Sequence, residues 1–329
     1  MIHVDDIGSS AAPGRPRAFV VSPVYYDVES FKELRRRAQQ ELTALDRFSA
    51  IQFVMIDDTA GEDPEVRSMI RDEGILVITP PYNLGHQGAI VFAVRQLTHQ
   101  IRPDDIIITL DADGEDRPED LPFLLAPLLG DDDGHVFAIA RRTQRKERIT
   151  FKIFYALFRL IFRLATGVVV QSGNFAAARG ALITRTIDHP SFDQCYSASL
   201  ISLPYRRRYV PLARGTRYGG RSHMSYLRLI THGIHMFMPF LEAIAVRFLI
   251  GSSIVFALAL LALLAVAALH YLTATAVAPW IFYVTLIVLH GTLTGLLVCL
   301  ILFAVSAQLK AQSLRILRAE RTPGPGQRT

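Results

Sequence analysis

Cysteine is nearly absent from this chain, which has two cysteines among its 329 residues. Cys195 and Cys299 fall in different regions, and Cys299 lies within a long apolar segment. Neither a disulfide framework nor a thiolate metal site is therefore expected, which fits a reducing compartment. Residues 1–17 contain acidic side chains and no apolar core, so we expect a disordered lead-in rather than a signal peptide.

Charge is missing from two long stretches near the C-terminus, at residues 248–269 and 271–309. A helix needs about 20 apolar residues to cross a bilayer. The two stretches therefore predict transmembrane helices at about 248–270 and 279–308, within a membrane region at 248–309. Core helices of a soluble protein are the alternative. Arg247 precedes the first helix and a basic tail, 310–329, follows the second, so both termini are expected in the cytoplasm.

Motifs typical of dinucleotide-binding proteins and of nucleic-acid-binding proteins are also missing. No G-x-G-x-x-G follows the first predicted strand, which disfavours a dinucleotide-binding fold of the dehydrogenase type. The net charge is +5, with basic residues concentrated near the apolar segments. Because no nucleic-acid-binding motif accompanies this charge, we expect a lipid bilayer as the partner and no nucleic acid.

Short apolar runs alternate with helical patterns along residues 18–225. The predicted strands are residues 18–24, 51–56, 75–79, 106–110 and 136–140, and the predicted helices are 28–45, 64–73, 86–99 and 118–129. This alternation predicts an α/β domain with a mostly parallel, doubly wound sheet.

Two apolar segments of mixed character lie outside that pattern. Residues 149–165 place basic side chains along one stripe of an otherwise apolar helix, which predicts a helix in the membrane interface. A core helix whose cations extend to solvent is the alternative. Residues 226–247 are predicted to form a juxtamembrane segment that leads into the first span.

Acidic residues cluster directly after the strand at 106–110. Asp111 and Asp113 stand two positions apart, and Glu115 follows them. Open α/β sheets bind ligands at the carboxyl ends of their strands, and carboxylate oxygens suit Mg²⁺ or Mn²⁺. The cluster therefore predicts a metal site that holds a substrate diphosphate. A solvated acidic loop that caps the next helix is the alternative.

Three other strand ends, on the same edge of the predicted sheet, carry polar or aromatic side chains. Tyr25 and Asp27 follow the first strand, and Asp58 follows the second. Asn83 precedes a helix whose N-terminus offers free amides to an anion. A tyrosine face and short acids can stack on a nucleobase and bind its ribose. Each feature alone can equally be turn chemistry or a helix cap, but together they predict a nucleotide-diphosphate pocket.

The ordered motifs PVYYD, IDDT, NLGHQGA, LDADGEDRPE, SGNFAAARGAL and RYGGRSHMS resemble family 2 glycosyltransferases. More narrowly, the chain resembles polyprenyl-phosphate (dolichyl-phosphate-like) glycosyltransferases with two C-terminal membrane helices, over residues 18–310. The resemblance implies a GT-A fold and a Mg²⁺ or Mn²⁺ ion that binds a nucleotide-sugar donor. It also implies inverting sugar transfer to polyprenyl (undecaprenyl) phosphate at the bacterial inner membrane, by a multi-pass protein with a cytoplasmic catalytic domain. The choice of UDP or GDP, and whether the chain forms a homo-oligomer, stay open.

The resemblance also assigns residues. The nucleotide-sugar site would comprise Pro23, Tyr25, Asp27, Asp58, Asn83, Asp111 and Asn174, and the metal ligands would be Asp111, Asp113 and Glu115. The catalytic group would comprise Asp113, Arg141 (or Arg145), Arg217, Arg221 and Ser222. Departures from the family pattern, such as PVYYD for PVYNE and His223 for the usual lysine, leave the nucleotide and the sugar undetermined.

Other functions compete with this interpretation. Processive polysaccharide synthases resemble the chain but carry a Q-x-x-R-W motif, whereas the single tryptophan here, Trp280, lies in the membrane region. A transferase acting on another lipid or glycan acceptor is a further alternative. A membrane-anchored nucleotide-sugar binder without catalytic activity is the alternative from another class.

Overall fold

The computed structural model describes residues 14–70, 74–130, 134–143, 149–170, 172–219, 226–273 and 279–321. The chain divides into two compact units. The first comprises Met1–Lys152 and Gln171–Pro239, and the second comprises Ile153–Val170 and Phe240–Thr329. Most of the predicted lead-in at 1–17 lies outside the described residues, whereas the predicted tail at 310–329 is described as far as Arg321, where the helix Pro279–Arg321 ends.

Strands and helices alternate along the first half of the chain. In chain order the elements are β1 (Arg17–Val24), α1 (Val28–Ala44), β2 (Ala50–Asp57), α2 (Pro64–Met69), β3 (Ile75–Ile78), α3 (Gly85–Leu97), β4 (Ile106–Thr109), α4 (Leu121–Leu129), β5 (Val136–Arg142), α5 (Ile149–Thr166), β6 (Ser172–Arg179), α6 (Gly180–Thr186), α7 (Tyr196–Ser202), β7 (Arg206–Leu212), α8 (Tyr226–His235), α9 (Leu241–Thr273) and α10 (Pro279–Arg321).

Within the described residues, the strands form one seven-stranded sheet in the order β3-β2-β1-β4-β6-β5-β7. Strand β6 runs antiparallel to β4 and β5, and the other neighbouring pairs are parallel. The predicted fold class, a mostly parallel α/β sheet, is confirmed. Because β1 pairs in parallel with both β2 and β4, the carboxyl ends of these three strands meet at one edge of the sheet.

The central strands are apolar because helices cover both faces of the sheet. Alternate residues of β1, Ala18 and Val20, join a core with Phe31 of α1 and Leu121 of α4. The intervening residues, such as Phe19, are buried as well. A strand buried on both faces therefore reads as a continuous apolar run, and polar side chains occur where such a strand ends.

The second unit is dominated by long apolar helices. Two helical segments, Leu229–Leu272 and Trp280–Gln308, are long and apolar enough to cross a membrane. The prediction of two apolar C-terminal helices is confirmed. Helix α9 begins at Leu241, so the predicted juxtamembrane segment at 226–247 divides into α8 and the first turns of α9.

Helix α5 presents an apolar surface to solvent. Phe154 and Leu164 are largely exposed, whereas Phe162 is buried and packs edge-to-face on Phe240, with ring centroids 5.4 Å apart. Arg247 Nη1 donates to the carbonyl of Ala165 over 3.2 Å. The predicted amphipathic helix is therefore present, and its contact with a membrane stays a prediction.

Candidate active site

The loop after β4 gathers four carboxylates at the carboxyl edge of the sheet. The side chains of Asp111, Asp113 and Glu115 are mostly buried, and that of Asp116 is only 3% exposed. Asp116 organises the loop, because Arg142 Nη2 donates to its Oδ1 over 3.0 Å and the backbone amide of Asp111 donates to its Oδ2 over 3.1 Å. The loop is thus closed around one buried ion pair.

Crowding of these carboxylates perturbs their protonation. Burial, aided by the charge of Asp111, raises the pKa of Asp116 well above its ordinary value. Burial and the charges of Asp111 and Glu115 also raise the pKa of Asp113. A divalent cation or a positively charged side chain would relieve this repulsion.

The loop between β3 and α3 is tied to the end of β2. Asp58 Oδ1 accepts from the backbone amide of Leu84 over 2.9 Å, and Asn83 Nδ2 donates to the Asp58 carbonyl over 2.9 Å. Asn83 Oδ1 in turn accepts from the amide of Gly85 over 3.0 Å. These bonds fix the start of α3 and so place the next residue, His86, beside the acidic loop.

His86 and Asn174 converge on one carboxylate oxygen. His86 Nε2 lies 2.8 Å from Asp111 Oδ1, an ion-pair contact in which the ring N–H does not have hydrogen-bond geometry. Asn174 Nδ2 donates to the same oxygen over 3.3 Å. Burial lowers the pKa of His86, but the neighbouring carboxylates, Asp111 first, raise it above its ordinary value overall. His86 is therefore favoured as a cation facing Asp111.

The segment after β7 docks on the acidic loop through its backbone. The amide of Tyr218 donates to the Asp113 carbonyl and the amide of Gly215 donates to the Glu115 carbonyl, each over 2.9 Å. Gly114 lies between them with a φ of +88°, and a Cβ on it would lie 2.8 Å from the Tyr218 ring. Glycine at position 114 thus permits both the turn and the close approach.

Arginines of this segment neutralise the acids. Arg217 Nη2 lies 2.8 Å from Asp113 Oδ2, and its Nε donates to Glu115 Oε1 over 3.1 Å. Arg214 forms an ion pair with the other oxygen of Glu115. An open cleft of about 680 Å³ lies beside them and is lined by Arg37, Gly114, Arg117, Glu119, Arg214, Gly215, Thr216, Arg217 and Tyr218. The four arginines of this lining are paired with carboxylates, so a phosphate that enters the cleft would compete with those acids for them.

The predicted nucleoside residues lie at the same edge of the sheet. Pro23 is buried within β1, Asp27 is half-buried just before α1, and Tyr25 is 40% exposed. Burial raises the pKa of Asp58, whose side chain is already used to hold Leu84. The structure therefore brings these residues to one edge, and their contact with a nucleotide stays a prediction.

Carboxylate oxygens of this loop suit a hard divalent cation. Within the described part of the chain, no group of three or more His, Cys, Asp or Glu side chains is arranged to hold a metal ion. This arrangement still fits Mg²⁺, which is commonly held by one or two carboxylates together with substrate phosphates. Asp111 and Asp113 provide that pair; burial first, and then the charge of Asp111, raises the pKa of Asp113, and a cation would relieve the second of these effects.

Several residues at the site were not among the sequence predictions. Arg141 is exposed at the end of β5, and its neighbour Arg142 contacts the acids instead. The pairing of β5 with β7 keeps one register through Arg142, so these two neighbouring arginines point to opposite faces of the sheet. His86 stands within the motif NLGHQGA and Arg214 lies shortly before RYGGRSHMS, but only the fold brings them to the acids. Arg145, Arg221 and Ser222 lie outside the described residues.

The fold and site define a doubly wound α/β protein with a charged ligand site at the carboxyl edge of its strands. The sequence model of the family described as "Glycosyl transferase family 2" matches residues 20–188, more than half of the chain. The chain belongs to this family, and the resemblance predicted from its motifs is confirmed.

Curated relatives share moderate similarity with the chain. An undecaprenyl-phosphate 4-deoxy-4-formamido-L-arabinose transferase from Klebsiella pneumoniae is 27% identical over 66% of this chain and 65% of its own length. The protein of the same name from Proteus mirabilis is 26% identical over 64% of each chain. The chain thus spans just under two thirds of the length of the curated relatives it matches.

Solved structures also resemble the chain. Glucosyl-3-phosphoglycerate synthase from Mycobacterium tuberculosis, in complex with Mn²⁺, UDP and phosphoglyceric acid, aligns with 18% identity and a TM-score of 0.47. The alignment covers 70% of this chain and 79% of the synthase.

Proposed function

We propose that this protein transfers a single sugar from a UDP- or GDP-sugar to polyprenyl phosphate, with inversion and with the help of Mg²⁺ or Mn²⁺. The observation that carries the proposal is the pairing of two acids of the loop after β4, Asp113 and Glu115, with two arginines of the segment after β7, Arg214 and Arg217. Membership of family 2 supports sugar transfer, and the two apolar helices support a lipid acceptor. The curated relatives are named as undecaprenyl-phosphate transferases.

The reaction needs little acid–base chemistry from the protein. A phosphate monoester has a second pKa of about 6, so the lipid phosphate is already an anionic nucleophile near neutral pH. Its oxygen forms a bond to the anomeric carbon while the bond from that carbon to the donor diphosphate breaks and the nucleoside diphosphate leaves. One displacement of this kind inverts the anomeric configuration.

The chief barrier is the repulsion between two phosphate-bearing substrates. Asp111 and Asp113 would hold the divalent ion, which supplies positive charge to the leaving diphosphate when bound. Arg217 and Arg214 border the arginine-lined cleft and would bind and orient the acceptor phosphate. Holding two reactants in line can supply about 7–11 kcal/mol of the barrier in well-oriented cases.

The donor nucleoside would occupy the neighbouring strand ends. Tyr25, exposed at the end of β1, offers a ring on which a base can stack, and Asp27 offers a carboxylate to the ribose hydroxyls. Asp58 would shape the pocket through its hold on Leu84. Pro23 and Asn83 complete this proposed site. The protein would act in the bacterial inner membrane.

Glycolipid synthesis tests the proposal directly. The full chain in lipid nanodiscs is incubated with Mg²⁺ or Mn²⁺, undecaprenyl phosphate and a panel of UDP- and GDP-sugars that includes activated 4-deoxy-4-formamido-L-arabinose. We expect a singly glycosylated lipid, detected by mass spectrometry, with one donor. Donor binding without product for every donor would instead support a nucleotide-sugar binder that lacks catalytic activity.

The acidic loop is tested by Asp113→Ala. We expect turnover to fall by a factor of about 100 or more, because a preorganised electrostatic contact is lost, while the protein still inserts into membranes. Asp104→Ala is the matched control, since the Asp104 side chain is 84% exposed. Near-normal turnover of Asp113→Ala would remove the basis for the proposed metal site.

A further inference from the structure

A chain of hydrogen bonds leads from α7 to the first acid of the loop. The backbone amide of Ser197 donates to Gln87 Oε1 over 2.9 Å. Gln87 Nε2 donates to Asn174 Oδ1, and Asn174 Nδ2 donates to Asp111 Oδ1 over 3.3 Å. Three elements that are distant in sequence, α7, α3 and β6, thereby act on one carboxylate.

The backbone amide of Ser197 decides which atom donates and which accepts in each of these hydrogen bonds. A backbone N–H can only donate, so the side-chain oxygen of Gln87 must face Ser197 and its amide nitrogen must face away. That nitrogen in turn requires the oxygen of Asn174 as its acceptor. The nitrogen of Asn174 is then left to donate to Asp111, and an inverted amide at either position would set two acceptors or two donors against each other.

The backbone of Asn174 is held as well. Thr109 Oγ1, at the end of β4, donates to the Asn174 carbonyl over 2.6 Å and also lies 3.2 Å from the hydroxyl of Tyr196. The backbone of Asn174 is therefore fixed beside the acidic loop, and only the side-chain torsions of Asn174 can still vary. The hydrogen bond from Gln87 fixes the orientation of the Asn174 amide.

Both contacts to the Asp111 side chain use the same oxygen. The closest approach of His86 and the hydrogen bond from Asn174 both fall on Oδ1. The terminal torsion of an aspartate is broad when nothing holds it. With Oδ1 held from two sides, the direction of Oδ2 is fixed as well.

We propose that Gln87 is a positioning residue that acts through Asn174 to hold one oxygen of Asp111, so that the other is presented to a divalent cation. The inference rests on the proposed function for its assignment of Asp111 to the metal. Gln87 itself touches neither substrate nor metal in this role. It makes the acid rigid, as outer-shell partners of metal ligands commonly do.

Mn²⁺ affinity, measured by electron paramagnetic resonance on the full chain in nanodiscs with Mn²⁺ alone, tests this role. Gln87→Leu removes the donor to Asn174 at similar side-chain size. We expect the Kd for Mn²⁺ to rise by about 10-fold or more, the usual effect of losing an outer-shell partner. A Kd within about twofold of wild type would overturn the inference.

A double-mutant cycle separates positioning from a general structural role. If Gln87 acts through Asn174, Gln87→Leu should have little further effect on the Mn²⁺ Kd once Asn174→Ala is present. Additive effects of the two substitutions would overturn the inference. If Gln87→Leu does not melt cooperatively, Gln87→Met, which is unbranched and of similar length, takes its place in the cycle.

Control variants keep this test distinct from that of the proposed function. Ser197→Ala retains the backbone amide that orients Gln87, and Cys195→Ala removes only a thiol that lies 3.4 Å from Gln87 Oε1. Both should leave the Mn²⁺ Kd unchanged, and a change as large as that of Gln87→Leu would overturn the inference.

Asp111→Asn with unchanged Mn²⁺ affinity would overturn the assigned metal site. Weak binding by Asp111→Asn but normal binding by Gln87→Leu would overturn the positioning role alone.

Discussion

Arg217 bridges two carboxylates of the acidic loop. Its guanidinium contacts Asp113 and Glu115 together and is one third exposed. Buried acids need a nearby positive charge, and in this structure Arg217 provides it. A cation arriving at Asp113 therefore competes with an arginine that the proposed function also assigns to the acceptor phosphate.

Arg217→Gln should separate these two roles. We expect Mn²⁺ to bind several-fold more tightly, because a repelling charge close to Asp113 is removed. Turnover should nevertheless fall, by about 10-fold or more, because a charge-assisted bond to a phosphate is lost. Electron paramagnetic resonance reports the affinity and glycolipid synthesis reports the turnover. Arg208→Gln, which removes an exposed arginine of β7, is the control.

Single residues also mark how far the site was predictable. Asp111, Asp113 and Glu115 were found because a buried strand followed by acids is a local pattern. Their partners were not, since His86 meets Asp111 only after β3 and β4 take their places in one sheet. Arg142 was not predicted, because the sequence does not say which of two neighbouring arginines at the end of β5 faces the acidic loop.

At the scale of elements, the docking of residues 213–219 on the acidic loop is the feature that assembles the site. The backbone bonds of Gly215 and Tyr218 hold it, and Arg37 lies 4.9 Å above the centroid of the Tyr218 ring. The segment carries Arg214 and Arg217, so its position decides whether their charges face the acids. Glycine at position 114 makes that position accessible.

Gly114→Ala should undock this segment. The residue has a φ of +88°, and the added Cβ would lie 2.8 Å from the Tyr218 ring. We expect a loss of about 1–3 kcal/mol in stability from backbone strain, together with a large fall in turnover. Thermal melting and glycolipid synthesis measure the two effects. Gly219→Ala, where an added Cβ meets nothing within 4 Å, should be nearly neutral. Equal behaviour of the two variants would contradict the role given to Gly114.

Elements were easier to predict than their arrangement. Strand β1 and helix α3 have the apolar periods that local patterns report, and both appear within a few residues of the predicted bounds. Strand β6 was not among the predicted strands, and its direction was not predictable either, because an antiparallel strand buried on both faces has the same composition as a parallel one. Its position between β4 and β5 nevertheless decides that Asn174 meets Asp111.

At the scale of the whole molecule, charge is divided unevenly along the chain. The link between α9 and α10, residues 274–278, carries no charge, whereas the region after the second apolar stretch contains Lys310, Arg315, Arg318 and Arg321. Arg247 lies before the first apolar stretch. Positive residues that flank membrane helices are retained on the cytoplasmic side. The catalytic unit and both termini are therefore expected on the side where nucleotide sugars are available.

Labelling of single cysteines tests this orientation. Cys195 and Cys299 are buried, and both are replaced by alanine before Thr275→Cys or Gln327→Cys is introduced. In intact spheroplasts, a membrane-impermeant maleimide should label the cysteine at position 275 in the link and leave the one at position 327 in the tail unlabelled, while both react after lysis. The physical reason is that moving four basic residues across a bilayer costs far more than moving an uncharged link. Labelling of the tail in intact spheroplasts would place the acidic loop away from its donor and would contradict the orientation on which transfer at the cytoplasmic face depends.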